Sequence, residues 1–324
     1  MAQRGGIERT LGEVGEFDLI AAVTSGLAPV ADGDVGPGDD AAVLGVPGAR
    51  VVATTDLLVE RRHFRRDWSS AADVGHKAAV QNLSDLAAMG AVPLALLVGF
   101  GAPDDLPERW AREFHQSLVA EAERAGARVA GGDVVGADQV VVSVTALGHL
   151  DGHEPVLRSG GGVGDVLALS GPTGLSAAGL AVLRRGFSAP RAAVAAHRRP
   201  TGRYEDGPAA ARAGAHALID VSDGLVADLR HVAVASGVSI DLDPSALEVP
   251  EPVAAVCAAL GGSDPLRMVL TGGEDHVLAG LFAVRSVPTG WRVVGRALPA
   301  GERAEVLVGG VAWTEPGGHR HFGP

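Results

Sequence analysis

A chain of 324 residues, 47% hydrophobic and 20% charged, has apolar material for a substantial core and length for two ordinary domains. Its net charge of −12 argues against a nucleic-acid binder, and the single cysteine, Cys257, excludes an intramolecular disulfide and a cysteine-built zinc cluster. The segment "MAQRGGIERTLGEVGEF" carries no apolar signal core and no later stretch offers about 18 uninterrupted apolar residues, so the expectation is a soluble, cytoplasmic protein.

Apolar spacing over 16–28 predicts a short amphipathic helix, followed by a Gly/Pro/Asp loop over 32–38. "AAVLGV" (41–46) and "RVVATTDLLVE" (50–60) read as strands joined by a turn. Small-residue spacing over 70–91 predicts a helix stopped by Gly90 with Pro93 beyond it. A strand over 93–100, an amphipathic helix over 106–126 and strands in "ARVAGGD" and "QVVVSVTALGHL" complete the first half. That order has no regular βαβ repeat, so a mixed sheet covered by helices on one side is expected. The glycine-rich loop 151–165 is the expected boundary between domains 1–150 and 151–324. "RSGGGVGD" does not follow a strand and open a helix, which argues against a dinucleotide fingerprint. Beyond it lie a strand "VLALS", a helix from about 174 to 185, and an Arg-rich connection over 184–207. The strand "HALIDV", the helix "LVADLRHVAVASG" and the strand "VSIDLD" follow; Cys257 falls in a helical stretch, and the end is strand-rich.

Five segments place Asp beside Gly, Ser or Thr at a strand end or in a small-residue helix. They are "GDDAAVL" (Asp39, Asp40), "VVATTDLLVE" (Asp56), "VQNLSDLAAMGA" (Asp85), "RVAGGDVV" (Asp133) and "LIDVSDGL" (Asp220, Asp223). Each has a bland reading: an Asx-turn for Asp39 or Asp40, a turn for Asp133, a helix N-cap for Asp223. Asp85 fits local structure least, because Asp inside a helix competes with the backbone. Unpaired buried carboxylates are costly, and divalent cations would offset several at once. The donors are all oxygen, with hydroxyls at Thr54, Thr55, Ser84 and Ser222, which selects a hard cation, Mg²⁺ or Mn²⁺, over zinc. The one lysine, Lys77, is not in a Gly-Lys-Ser/Thr segment, so nucleotide would be held without a P-loop. Lys77 reads either as a phosphate contact or, by preference, as a surface residue.

In order, the segments "GDDAAVL", "TTDLLVERRHF", "HKAAVQNLSDLAAMGAVP", "GGD", "RSGGGVGD", "IDVSDGLVADL" and "LTGGEDH" resemble the thiamine-monophosphate kinase family. That family belongs to the PurM-like (aminoimidazole-ribonucleotide-synthetase-like) superfamily, and the resemblance runs from about residue 12 to 322. It implies a two-domain α/β (α+β) fold whose N-terminal sheets associate in a homodimer. It implies ATP-dependent phosphorylation of thiamine monophosphate in a cleft between the domains, with several Mg²⁺ ions. By matching position, Asp40, Thr54, Thr55, Asp56, Asp85, Asp133, Asp220 and Asp223 would hold Mg²⁺. Gly132, Asp133, Arg158 and Ser222 would contact ATP, and His63, Glu274 and His319 the acceptor. No covalent nucleophile or catalytic base is implied, because the acceptor is already an anion.

Departures from the family pattern leave the acids themselves untouched. Arg61 and Arg62 stand where Gly and Val are usual, Val134 where Thr is common, His276 for Tyr, and His319 for an aromatic residue. The rival readings are another ATP-dependent enzyme of the superfamily, a Mg²⁺-dependent phosphatase, or a non-catalytic Mg·nucleotide binder. A selenophosphate-synthetase-like enzyme would want an N-terminal Cys, which this chain lacks.

Overall fold

The computed structural model describes residues 10, 22, 24–26, 51–315 and 318. Asp39, Asp40, the strand expected over 41–46 and His319 lie outside the described residues.

Two sheets organise the chain. The first has the order β1 (Val51–Val59), β4 (Val141–His149), β2 (Val92–Ala102), β3 (Arg128–Gly136), with only the β2–β3 pair parallel. Helices α1 (Ala71–Ala88) and α2 (Glu108–Arg124) pack on one face through Val74, Leu83, Phe114 and Leu118. Ser70 starts α1 with a capping box: its hydroxyl accepts from the Asp73 N–H, and the Asp73 carboxylate accepts from the Ser70 N–H. Gly75 lets the two helices touch, since a Cβ there would lie 2.1 Å from the Phe114 carbonyl oxygen. The other face of the sheet leaves Val51, Leu57 and Val135 exposed at 50%, 52% and 55%. Helices on one side were expected, and that is what the structure has.

The second sheet has seven strands in the order β11 (Val311–Ala312), β10 (Val306–Val308), β7 (Val238–Leu242), β9 (Arg292–Pro299), β5 (Val166–Leu169), β8 (Leu278–Phe282), β6 (Ala217–Asp220). Its strands alternate: Leu167 and Leu169 face one core, and Ala168 the other. The larger core receives α3 (Leu175–Arg184), α4 (Arg191–Arg198), α6 (Leu225–Ser236), α7 (Glu251–Ala259) and α8 (Pro265–Thr271). The smaller one joins α5 (Asp206–Ala213) and the end of α1, through Ala87, Ala88 and Ala210, to Leu218, Leu278 and Phe282.

Helix α4 and the start of α5 lie within 184–207, which was read only as an Arg-rich connection. "RAAVAAHR" is one short Ala-rich stretch in which Ala193, Val194 and His197 are buried, too brief for a periodic signal. The segment after it docks back on the first half. The Glu121 carboxylate accepts from the Tyr204 hydroxyl (2.6 Å) and the Arg124 guanidinium, and lies 3.1 Å from His76 Nδ1. His76 Nε2 lies 2.8 Å from the Pro200 carbonyl oxygen, and Arg124 donates to that of Gly202.

Burial opposes ionisation of Glu121, but the bonds from His76, Arg124 and Tyr204 outweigh it and hold the carboxyl at about 2. A depressed carboxyl stabilises the fold above its unfolded value near 4.3, and the effect is lost as pH falls towards the folded one. The contribution at neutral pH is about 3 kcal/mol. Urea unfolding should therefore weaken between pH 4.5 and about 2 in the wild type, and much less in Glu121→Gln. Parallel profiles would remove this network as the source.

Candidate active site

A cleft of about 680 Å³ runs between the two halves. On the first half, strand alternation turns Thr54 and Asp56 towards α1 and Thr55 away from it. Asn82 fastens strand to helix: its Oδ1 accepts from the Asp56 N–H at 3.0 Å, and its amide donates to the Ala78 carbonyl. Asp85, one turn further along the helix, therefore faces Asp56. The Thr54 hydroxyl donates to Asp85 Oδ2 at 2.8 Å and fixes its rotamer.

The second half brings Asp220 at the end of β6 and then the loop carrying Ser222 and Asp223. That loop is held by Asp228, whose Oδ2 accepts from the N–H groups of Ser222, Asp223 and Gly224. The N-cap of α6 is Gly224, which corrects the reading of Asp223 as a helix cap: Asp228 takes the loop amides. Burial, with Asp220 and Asp223 close by, pushes the Asp228 carboxyl up to about 8. Asp85 is pushed up to about 7 by burial and by the negative fields of Asp220 and Asp56. Among the described residues, no three Asp, Glu, His or Cys side chains are already drawn close enough to cage an ion. The donor set still fits a hard cation. It is carboxylate oxygen throughout, and its mutual repulsion, visible at Asp85, is what a divalent ion relieves.

Beside Asp220 and Asp223, Gly272–His276 folds against 221–222, with the Glu274 N–H on the Ser222 carbonyl and the His276 N–H on that of Val221. Glu274 and His276 both have positive φ, 63° and 52°, a conformation disfavoured for residues with side chains. Strain of this kind collects at functional sites. Lys77, only 3% exposed, donates to Glu274 Oε1 at 3.1 Å, and His197 Nδ1 lies 3.2 Å from Oε2. Burial disfavours the Glu274 charge, but Lys77 and His197 outweigh it and hold the carboxyl well below its usual range. Burial and the Lys77 charge keep His197 below its ordinary value, as a neutral imidazole. Lys77 is thus a buried ion-pair partner, correcting its reading as a surface residue. His276 Nδ1 lies 3.2 Å from Asp220 Oδ2 and ties this loop to the acids.

Asp56, Asp85, Asp220, Ser222, Asp223, Arg158, His63 and Glu274 therefore line one cleft. His63 is held by its own turn, Nδ1 accepting from the Val59 N–H at 2.9 Å. Thr55, Ser84, Gly132 and Asp133 do not line it. The Thr55 hydroxyl bonds the Val144 carbonyl and Thr145 on the open face of the sheet, and Ser84 is buried. Asp133 is exposed on the edge strand β3, where its Oδ1 accepts from the Val134 N–H. Gly132 has a structural reason to be glycine, since a Cβ would lie 1.9 Å from the Val98 carbonyl oxygen across the β2–β3 pair. Gly132→Ala should cost about 1–3 kcal/mol in urea unfolding; an unchanged midpoint would show that the two strands can part freely. Asn82, Asp228 and His197 were not read as site residues, and Lys77 only as an alternative phosphate contact. For Asn82 a signal existed: it stands three residues before Asp85, on the same helix face.

Residues 38–150 match the family described as "AIR synthase related protein, N-terminal domain", and 162–286 match its C-terminal domain. The thiamine-monophosphate kinase of Mycobacterium tuberculosis is 48% identical over 314 residues, 97% of this chain and 93% of that protein. The crystal structure of thiamine-monophosphate kinase from Stenotrophomonas maltophilia K279a superposes with a TM-score of 0.78 at 31% identity, over 91% of this chain and 96% of that one. A further solved structure, AaThiL complexed with AMPPCP and TMP, gives a TM-score of 0.79 at 30% identity, over 98% of this chain and 100% of that one. Strands, cleft and sequence agree: the chain has the two-domain PurM-like fold and belongs to the thiamine-monophosphate kinase family of phosphotransferases.

Proposed function

We propose that this kinase transfers the γ-phosphoryl group of ATP to thiamine monophosphate, giving thiamine diphosphate and ADP. The observation that carries the reading is one cleft to which each half contributes two aspartates, with a carboxylate locked by Lys77 and His197 in the same lining. A phosphate oxygen of the acceptor attacks the γ-phosphorus as the bond to the β–γ bridging oxygen breaks, and ADP leaves with that electron pair. The attacking oxygen is already anionic, so no base is required, and in-line positioning and charge cancellation supply the rate.

The described residues that would hold Mg²⁺ are Asp56, Asp85, Asp220 and Asp223, with Asp85 aimed by Thr54. Bound there, the ions would neutralise phosphate charge as the transition state forms. Arg158 and Ser222 face the same space and suit the nucleotide phosphates. Glu274 is ionised, and its side chain is 33% exposed towards the cleft. Its remaining lone pairs accept an N–H of the acceptor's aminopyrimidine. Phe64, Trp68 and Leu180 give that wall its apolar surface for a flat ring.

The open face of the first sheet, with Val51, Leu57 and Val135, supports a homodimer formed through these sheets. The two separate sheets support a domain division near residue 150. No helix among the described residues is long and apolar enough to cross a membrane, which accords with a cytoplasmic enzyme. Incubation with ATP, Mg²⁺ and thiamine monophosphate should yield thiamine diphosphate by chromatography, with free thiamine a poor acceptor. ATP consumed to inorganic phosphate with thiamine monophosphate untouched would overturn the reading.

A further inference from the structure

The turn after β1 carries Arg61, Arg62, Arg65 and Arg66 around His63. Two of the four are already neutralised: Arg65 pairs with Asp67 at 2.6 Å and Arg66 with Glu60 at 2.7 Å. Arg61 and Arg62 have no carboxylate partner among the described residues, although both border the cleft. Arg61 also borders an adjoining recess of about 580 Å³. Its backbone has φ 66°, a left-handed conformation that glycine adopts freely and an arginine only at a cost. The turn is closed around it by the Arg61 N–H on the Phe64 carbonyl, and by the Arg62 and His63 N–H groups on the Val59 carbonyl. Among the described residues, no carboxylate accounts for an exposed arginine side chain held in this strained backbone beside the cleft.

Charge balance shows what such a pair suits. Asp56, on the strand that leads into this turn, belongs to the acid cluster, and the single lysine is paired with Glu274. An acceptor carrying a phosphomonoester brings two negative charges into a region already rich in carboxylates. Among the described residues, Arg61 and Arg62 are the cations without a carboxylate partner that stand closest in sequence to that cluster, and a guanidinium fork matches a phosphate. We propose that Arg61 and Arg62 grip the acceptor's phosphate and so select the phosphorylated acceptor over the free alcohol. This rests on the reading of the cleft as a thiamine-monophosphate site.

The test is steady-state kinetics of Arg61→Gly and Arg62→Gln with thiamine monophosphate and ATP varied in turn, and free thiamine as competitive inhibitor. Each variant should raise KM for thiamine monophosphate by about 5–20-fold, the range of a solvent-exposed charge-assisted contact. KM for ATP and the inhibition constant of thiamine should stay within about twofold, a pattern that general damage to the fold does not produce. Arg61→Gly should melt no lower than the wild type, since it relieves the backbone. Unchanged KM for thiamine monophosphate overturns the assignment. So does a rise in KM for ATP, which would place the pair on nucleotide phosphate, or an equal loss for thiamine, which would make it a wall of the ring pocket. A wild-type enzyme inactive towards thiamine monophosphate would remove the functional reading and this assignment with it; an active one with unaffected variants removes the assignment alone.

Discussion

Asp85→Asn should lower kcat by about 10²–10³ while leaving a folded protein that, stripped of divalent ions, is more stable than the wild type. The carboxyl is buried among Asp220 and Asp56 and stands at about 7, far above an ordinary Asp. A raised acid binds more protons in the folded than in the unfolded state between pH 4 and 7. Stability is therefore lost as pH rises through that window. Asparagine keeps an oxygen for the Thr54 hydroxyl and removes the charge, so the ion-free variant should gain about 1–3 kcal/mol at pH 7 and lose this pH slope. Activity falls because one anionic oxygen is missing where phosphate charge must be cancelled. Urea unfolding in chelator across pH 4–7, beside turnover in Mg²⁺, measures both. A variant less stable than the wild type would make Asp85 a structural hydrogen-bonding residue and withdraw its metal role.

Lys77→Met should destabilise the protein by about 3 kcal/mol and weaken the acceptor site at the same time. Lys77 is buried on α1, and its ammonium faces a carboxylate brought 197 residues along the chain to meet it. Removing one partner of a buried pair leaves the other charged and uncompensated. With Lys77 gone, burial dominates at Glu274 and its carboxyl rises, so affinity for thiamine monophosphate should weaken more steeply as pH falls than it does in the wild type. The added change Glu274→Gln should recover part of the lost stability but none of the affinity. A double variant no more stable than Lys77→Met would show that Lys77 acts by packing rather than charge.

Much of the architecture is local and could be read residue by residue. Strand β1 alternates along "VVATTDLLV", α1 opens at the Ser70–Asp73 capping box, and Gly90 closes it in a left-handed turn. The same short-range grammar marked Asp56, Asp85, Asp220 and Asp223 as carboxylates without a local purpose, and the fold gathers them along one cleft. The period of two also separates Thr54 from Thr55, which face opposite sides of the sheet. Periodicity says nothing about which distant segments meet. Helix α4 was too short for a periodic signal, and its docking follows from burying Ala193 and Val194 against a core assembled from elsewhere. The pairing of Lys77 with Glu274 and the bond from Tyr204 to Glu121 join residues 197 and 83 positions apart, and exist only once those segments have met. A charge reveals its residue type in sequence, but its partner and its dielectric surroundings exist only once the chain has closed around it.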